Sequence, residues 1–160
     1  MVAKPVNAVP FLADYLPAML GQASALISSE FHAEVRARGF TVAEWRVLAC
    51  LATGLQISIG DLAAATLSKQ PTLTRQLDRM EASGYVGRTQ HPVDGRVTLV
   101  HISPKGKRIA KRLVELSHAH EKRVLEPFGM DRADDLKRML RQLIEFHQSR
   151  GTPGAGADED

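Results

Sequence analysis

The sequence is short of the residues that staple or chelate. Its single cysteine, Cys50, leaves no partner for an intrachain disulfide and no cysteine-rich zinc site. No run approaches the roughly 18–20 uninterrupted apolar residues of a membrane span. The N-terminal MVAKPVNAVPFLADYL has one Lys, an Asp inside its apolar stretch and no long apolar core of the secretory type. These shortages predict a soluble, cytoplasmic chain. Enzyme signatures are also missing: no phosphate-cradling glycine loop, no HExxH, no GxSxG, and no Cys/His pair at catalytic spacing. The chain therefore reads as not an enzyme, with no cofactor. His118 and His120 share a helix but stand two residues apart, nearly on opposite faces, so they do not chelate one ion and no metal ligands are assigned.

What is present is a core-forming composition, 44% apolar in 160 residues, enough for one domain without staples. Charge is the more telling property. Net charge is only +3, yet Lys69–Arg112 holds ten basic residues against three acids, Asp78, Glu81 and Asp94. That segment carries +7 and the rest of the chain −4. A basic block with acidic flanks points to a polyanion met by one face of the fold.

Leu12, Leu16, Met19, Leu20, Ala23, Ile27, Phe31 and Val35 recur at helical spacing and predict one helix over about 8–38. Thr41 with Glu44 is a capping box in sequence form, opening VAEWRVLACLA, whose second half is apolar nearly all round and so central. Ser58 caps a short helix to about Thr66. Ser68 caps the next, about Lys69–Ser83, with Pro71 in its first turn and Leu73, Leu77 and Met80 as its buried stripe. Two short helices joined by Leu67-Ser68 make a helix-turn-helix. YVGRTQ, HPVDGR and VTLVHIS then form a β-hairpin with a long tip. Ser103-Pro104 opens a long helix to about Glu126, carrying Ile109, Leu113, Leu116 and Val124, and Asp131 caps a last one with Leu136, Met139, Leu140, Leu143 and Ile144. The Gly-rich acidic tail, 151–160, is expected to be disordered.

This order is a winged helix-turn-helix flanked by helices. The fold class is mainly α, with a small β wing: 40–103 the winged helix-turn-helix (helix-turn-helix about 58–83, wing about 85–103), and 8–38 with 104–149 a helical dimerisation region. At residues 61–106, DLAAATLSKQPTLTRQLDRMEASGYVGRTQHPVDGRVTLVHISPKG, the chain resembles the MarR (multiple antibiotic resistance regulator) family. The carriers are TLTRQLDRME, GYVGR, the wing-tip Asp94 and Arg96, and ISPKG; VAEWRVLACLA fits the family's second helix.

A recognition helix must fit a major groove about 12 Å wide and bring polar side chains to base edges. With the apolar stripe inward, the outer face offers Lys69, Gln70, Thr72, Arg75, Gln76 and Arg79, and Ser68 can add a phosphate contact at the cap. Gln70 suits adenine, Arg75 guanine, and Thr72 a thymine methyl or a phosphate. Arg96 at the hairpin tip suits a narrow minor groove, which the resemblance also implies, with Asp94 orienting it and Arg88 and His91 beside phosphates.

The outer helices cannot bury their stripes against a small winged helix alone, which predicts a twofold homodimer on a palindromic operator in double-stranded DNA. The resemblance implies a repressor released by a small aromatic or acidic ligand held between dimer helices and winged helix. Tyr15, Met19, His32, Trp45 and Arg46 offer an aromatic floor with a guanidinium for such a ligand. Two alternatives stand beside this reading. One is a metal- or redox-responsive regulator of the same fold, although Cys50 has no nearby Lys or His in sequence to activate it. The other is a winged-helix protein-docking module, which needs an apolar patch where Arg75, Arg79, Arg88 and Arg96 stand.

Overall fold

The computed structural model describes residues 10–150. The elements are α1 (Pro10–Asp14), α2 (Leu16–Ala37), α3 (Val42–Leu51), β1 (Ile57–Ser58), α4 (Ile59–Ala65), α5 (Gln70–Ala82), β2 (Val86–Gln90), β3 (Thr98–Ile102), α6 (Pro104–Leu125), a 3-10 turn (Glu126–Phe128) and α7 (Met130–Ser149). The mainly α fold with a small antiparallel wing is as expected. The predicted tail at 151–160, and residues 8 and 9 of the first predicted helix, lie outside the described residues.

That first helix is not continuous. It breaks at Tyr15, and α2 restarts with Pro17 in its first turn. Proline has no N–H to give to the carbonyl four residues back, so it begins a helix more readily than it continues one. Two predicted caps also move. The residue at the N-cap of α5 is Lys69, and the Ser68 hydroxyl instead donates to the Thr66 carbonyl at 3.3 Å. Asp131 lies inside the first turn of α7, which Gly129 precedes. A carboxylate there still interacts favourably with the helix N-terminus. The other three caps form: Thr41 and Glu44 make the reciprocal box, Ser58 Oγ accepts from Asp61 N–H at 3.1 Å, and Ser103 Oγ accepts from Gly106 N–H at 2.9 Å.

The chain divides into two compact units, with the boundary between His118 and Ala119, inside α6. In the first unit, α3 is central: Val47, Leu48 and Leu51 are buried among Val35, Leu62, Leu73, Leu77, Met80, Val100 and Leu113. Burying each such side chain is worth roughly 1.5–3 kcal/mol. The sheet has three strands in the order β1-β3-β2, all antiparallel, with Val86 opposite Ile102 and Gln90 opposite Thr98. The third strand, two residues pairing Ile57 with Val100 and Ser58 with Leu99, is too short to leave a periodic signal. In the second unit, Ala133 is buried and Lys137 Nζ reaches Glu121 Oε2 at 2.9 Å. No described helix is long and apolar enough to cross a membrane.

Candidate nucleic-acid interface

The α4–α5 corner is a Schellman motif with an unusual residue at its key position. Leu67 N–H donates to Ala64 O at 3.2 Å and Ser68 N–H to Ala63 O at 2.9 Å. Leu67 takes φ +53°, where glycine is the usual choice, and is almost fully exposed. A left-handed leucine costs about 1–2 kcal/mol, which the two capping bonds and the docking of α4 and α5 offset. Sequence reading placed the turn here but had no signal for the strained residue within it.

In α5, Leu73, Leu77 and Met80 face the core as expected, but Gln76 faces it too. It stands three residues after Leu73 and four before Met80, on the same stripe, and its Nε2 lies 3.8 Å from Met80 Sδ. Gln76 therefore leaves the exposed polar face on which it was expected. Lys69, Gln70, Thr72, Arg75 and Arg79 remain outward and exposed. Ser68 is half-buried beside them.

Arg88 was expected beside a phosphate. Instead it is a strut between wing and helix: Nη1 donates to Asp78 Oδ1 at 2.7 Å, Nη2 to Thr74 O at 3.2 Å, and Glu81 Oε2 lies 3.5 Å away. Its side chain is 23% exposed, so these charge-assisted bonds are only partly screened. Arg88→Gln is expected to lower stability by about 1–2 kcal/mol, checked by urea unfolding, because two such bonds are lost while Asp78 stays solvated. Lys105 is likewise committed inside the fold, donating to Ser83 O at 2.9 Å at the end of α5 and lying over the Tyr85 ring. Charge count alone could not separate these structural cations from the free ones.

At the wing tip, Arg96 N–H donates to Asp94 Oδ1 at 3.1 Å, while the Arg96 Nε is 3.7 Å from the same oxygen. Asp94 thus orders the backbone first and the guanidinium second. The Arg96 side chain is 96% exposed. His91 Nδ1 accepts from the Val93 and Asp94 N–H groups. A cleft of about 340 Å³ is lined by Ser58, Ile59, Gly60, Gln70, Arg96, Val97 and Thr98. Gln70 of α5 and Arg96 of the wing therefore open onto one space.

The ligand-type residues are brought together only in part. Trp45 packs edge-on against Phe31 at 5.1 Å, half-buried on the core. His32 is held below its usual pKa by burial, then by the nearby cations Arg46 and Arg36, so these residues share one neighbourhood. Tyr15 stacks on Phe11 at 5.2 Å, and with Met19 it belongs to the opposite end of α2. At 1.5 Å per residue the 17 positions from Tyr15 to His32 put these groups roughly 25 Å apart, so one chain does not join them in a single crevice. A separate cavity of about 700 Å³ is lined by Arg38, Phe40, Ile109, Arg112, Leu113, Glu115 and Leu116. Burial pushes the Cys50 thiol up from its ordinary pKa, the opposite of an activated redox thiol. Among the described residues no three His, Cys, Asp or Glu gather around a cation-sized space.

The MarR family's sequence model matches residues 40–98, the stretch from the loop before α3 to the start of β3. The crystal structure of the MarR family transcriptional regulator SPO1453 from Silicibacter pomeroyi DSS-3 is 38% identical. It superposes with a TM-score of 0.76 over 85% of this chain and 97% of its own. The chain belongs to the MarR family. MarR proteins are DNA-binding transcription regulators and not enzymes. A second similar structure, the transcriptional repressor CouR bound to a 23-mer DNA duplex, is 27% identical, with a TM-score of 0.73 over 84% of this chain and 95% of that one. Among curated relatives, the transcriptional repressor IacR of Pseudomonas putida is 31% identical over 66% of this chain, a match that spans 62% of IacR.

Proposed function

We propose that this MarR-family chain is a homodimeric repressor that reads a palindromic operator through α5 and the wing and is released by a small organic acid. The observation that carries the DNA reading is the shared cleft: Gln70 and Arg96 line it together, beside the outward Arg75 and Arg79. In this reading Lys69, Gln70, Thr72, Arg75 and Arg79 meet the major groove, Arg96 enters the flanking minor groove, and His91 and Ser68 sit at phosphates. Asp94 and Arg88 act on the geometry from behind.

Dimerisation is supported by what each unit leaves uncovered. Phe11, Leu16, Met19, Leu26 and Ile27 are exposed along α1 and α2, and Leu136, Met139, Ile144 and Phe146 are exposed on α7. Apolar rows on this scale mark protein interfaces. A second copy that covers them sets the 8–38 and 104–149 segments as the dimerisation region, and twofold symmetry makes the operator palindromic, with half-sites about 34–36 Å apart.

The release reading rests on two polar-rimmed apolar surfaces. One is the His32, Trp45 and Arg46 neighbourhood, which Tyr15 and Met19 complete only from a second copy. The other is the Arg38–Arg112 cavity, whose wall residue Phe40 touches Tyr85 at 5.9 Å, at the junction of α5 and β2. A carboxylate held by a guanidinium over an apolar floor suits either, and the second places it one side chain from the recognition helix.

The test is fluorescence anisotropy with duplex DNA from upstream of the chain's own gene, with excess non-specific competitor, at two salt concentrations. Binding that survives competitor at two chains per site is expected. Binding that vanishes with competitor and falls steeply with salt leaves only phosphate attraction and overturns the operator reading.

A further inference from the structure

The wing tip is held shut by its own backbone and by one imidazole. His91 N–H donates to Val97 O at 2.9 Å, Val97 N–H to Asp94 O at 3.0 Å, and Arg96 N–H to Asp94 Oδ1 at 3.1 Å. The N–H groups of Val93 and Asp94 converge on His91 Nδ1 at 3.2 and 3.1 Å. Pro92 between them has no N–H, so the first amide available to the ring is that of Val93. Two N–H donors aimed at one ring nitrogen define its state. Nδ1 must carry a lone pair, and the proton of the neutral imidazole then sits on Nε2. An imidazolium here would set N–H against two N–H groups. The charged residues of the tip itself are Asp94 and Arg96, the pair whose geometry the closed tip sets.

This arrangement matters because, among the described residues, the exposed Arg96 side chain pairs only with Asp94, at 3.7 Å. An arginine left free to sample its rotamers loses side-chain entropy when it is immobilised, so a tip that pre-aims it reduces that cost. The Nε2 edge of His91 makes no hydrogen bond within the described chain and belongs to the same hairpin tip as Arg96. Resting on the DNA reading above, we propose that His91 acts as the neutral Nε2–H tautomer. It is a positioning residue that closes the wing tip through Nδ1 and donates Nε2–H to a backbone phosphate of the DNA that Arg96 enters.

The test uses the full chain and two variants. In His91→Asn the amide oxygen accepts from the same two N–H groups, as in an Asx-type turn, but the remaining donor, Nδ2, sits on a shorter side chain and no longer reaches where the imidazole Nε2 stood. His91→Ala loses both. Nitrogen-15 NMR of the free wild-type chain is expected to show Nδ1 unprotonated and Nε2 protonated, with His91→Asn leaving the Val93, Asp94 and Arg96 amide signals close to their wild-type positions. Binding of His91→Asn to the upstream duplex is expected to be about tenfold weaker, the size of one hydrogen bond to a charged group. Its salt dependence should be shallower by about 0.9 in log–log slope, one phosphate contact fewer. His91→Ala is expected to be weaker still and to shift the tip amides. A protonated Nδ1 in the wild type, or His91→Asn at wild-type affinity and slope, overturns the proposal. Failure of the DNA reading looks different: wild type, Arg75→Ala and Arg96→Ala then all bind the duplex alike, and the NMR result still decides the tautomer.

Discussion

Arg75→Ala is expected to weaken operator binding by about ten- to a hundredfold, while the unfolding transition stays where it is. The separation of the two readouts follows from the position of the side chain. Arg75 is exposed on α5, opposite the Leu73–Leu77–Met80 stripe, and no hydrogen bond or ion pair ties it to the other described residues. Its removal costs the fold little, since solvated surface positions usually change stability by no more than about 0.5 kcal/mol. A bidentate arginine–guanine pair, by contrast, is worth about 1–3 kcal/mol of discrimination. The loss should therefore be larger on the operator than on competitor DNA, and base preference at one position in each half-site should relax. Gln76→Ala is the informative contrast. That side chain is buried on the core stripe, so its substitution should move stability and leave base preference unchanged. Equal affinity of Arg75→Ala and wild type for the operator, measured by anisotropy, would remove Arg75 from the interface.

Gly106→Ala is expected to destabilise the chain by about 3 kcal/mol or more, which is the upper range for forcing atoms into a packed site. A Cβ at residue 106 would stand 2.0 Å from the Tyr85 carbonyl oxygen and 3.0 Å from Ile102 Cγ1. The obstacle is backbone, and it cannot swing away as a side-chain tip can. The Tyr85 carbonyl already accepts the Ser103 N–H at 3.0 Å, and Ser103 Oγ in turn accepts the Gly106 N–H at 2.9 Å. This knot joins the end of β3, the start of α6 and the Gly84–Tyr85 corner after the recognition helix. A methyl group at its centre has to separate the wing from α6. The midpoint of urea unfolding reports the change. Gly60→Ala serves as the control: its Cβ would meet only Ser58 Oγ, at 3.8 Å, and stability should hold or rise slightly. A Gly106→Ala chain as stable as the wild type would mean that the α6–wing junction yields far more than a packed interior does.

Much of the fold is legible in the residues because the signals are local. A capping box acts over four residues, so Thr41 and Glu44 announce the start of α3 without any tertiary information. A stripe at helical spacing marks the inner face of α5, and β-branched runs around a Pro-Asp-Gly tip mark the wing. The misreadings share a cause. Gln76 looked outward because it is polar, although helical geometry puts it on the Leu73–Met80 face, where burial is decided by what packs against it. Arg88 looked free because ion pairing across ten residues leaves no trace in sequence spacing, and its Asp78 partner sits on a different element. That Tyr15 and Met19 lie far from Trp45 within one chain was equally hidden, because residue type says nothing about distance along a helix.

The sequence by itself determined the order of elements, the helix-turn-helix with its basic wing, the family resemblance and the side of α5 that carries the polar residues. These follow from periodicity, capping and turn chemistry, which act between residues a few positions apart. Tertiary structure decided which cations are free. Arg88 and Lys105 are spent on Asp78, Thr74 and Ser83, whereas Arg75 stays exposed on α5, Arg96 stays exposed with only a 3.7 Å approach to Asp94, and Gln70 joins Arg96 at one cleft. It also decided that the His91 ring closes the wing tip. Such pairings depend on where the packed core of Leu48, Leu62, Leu77 and Val100 sets each element, and a charge's partner is chosen by distance in space rather than by place in the chain.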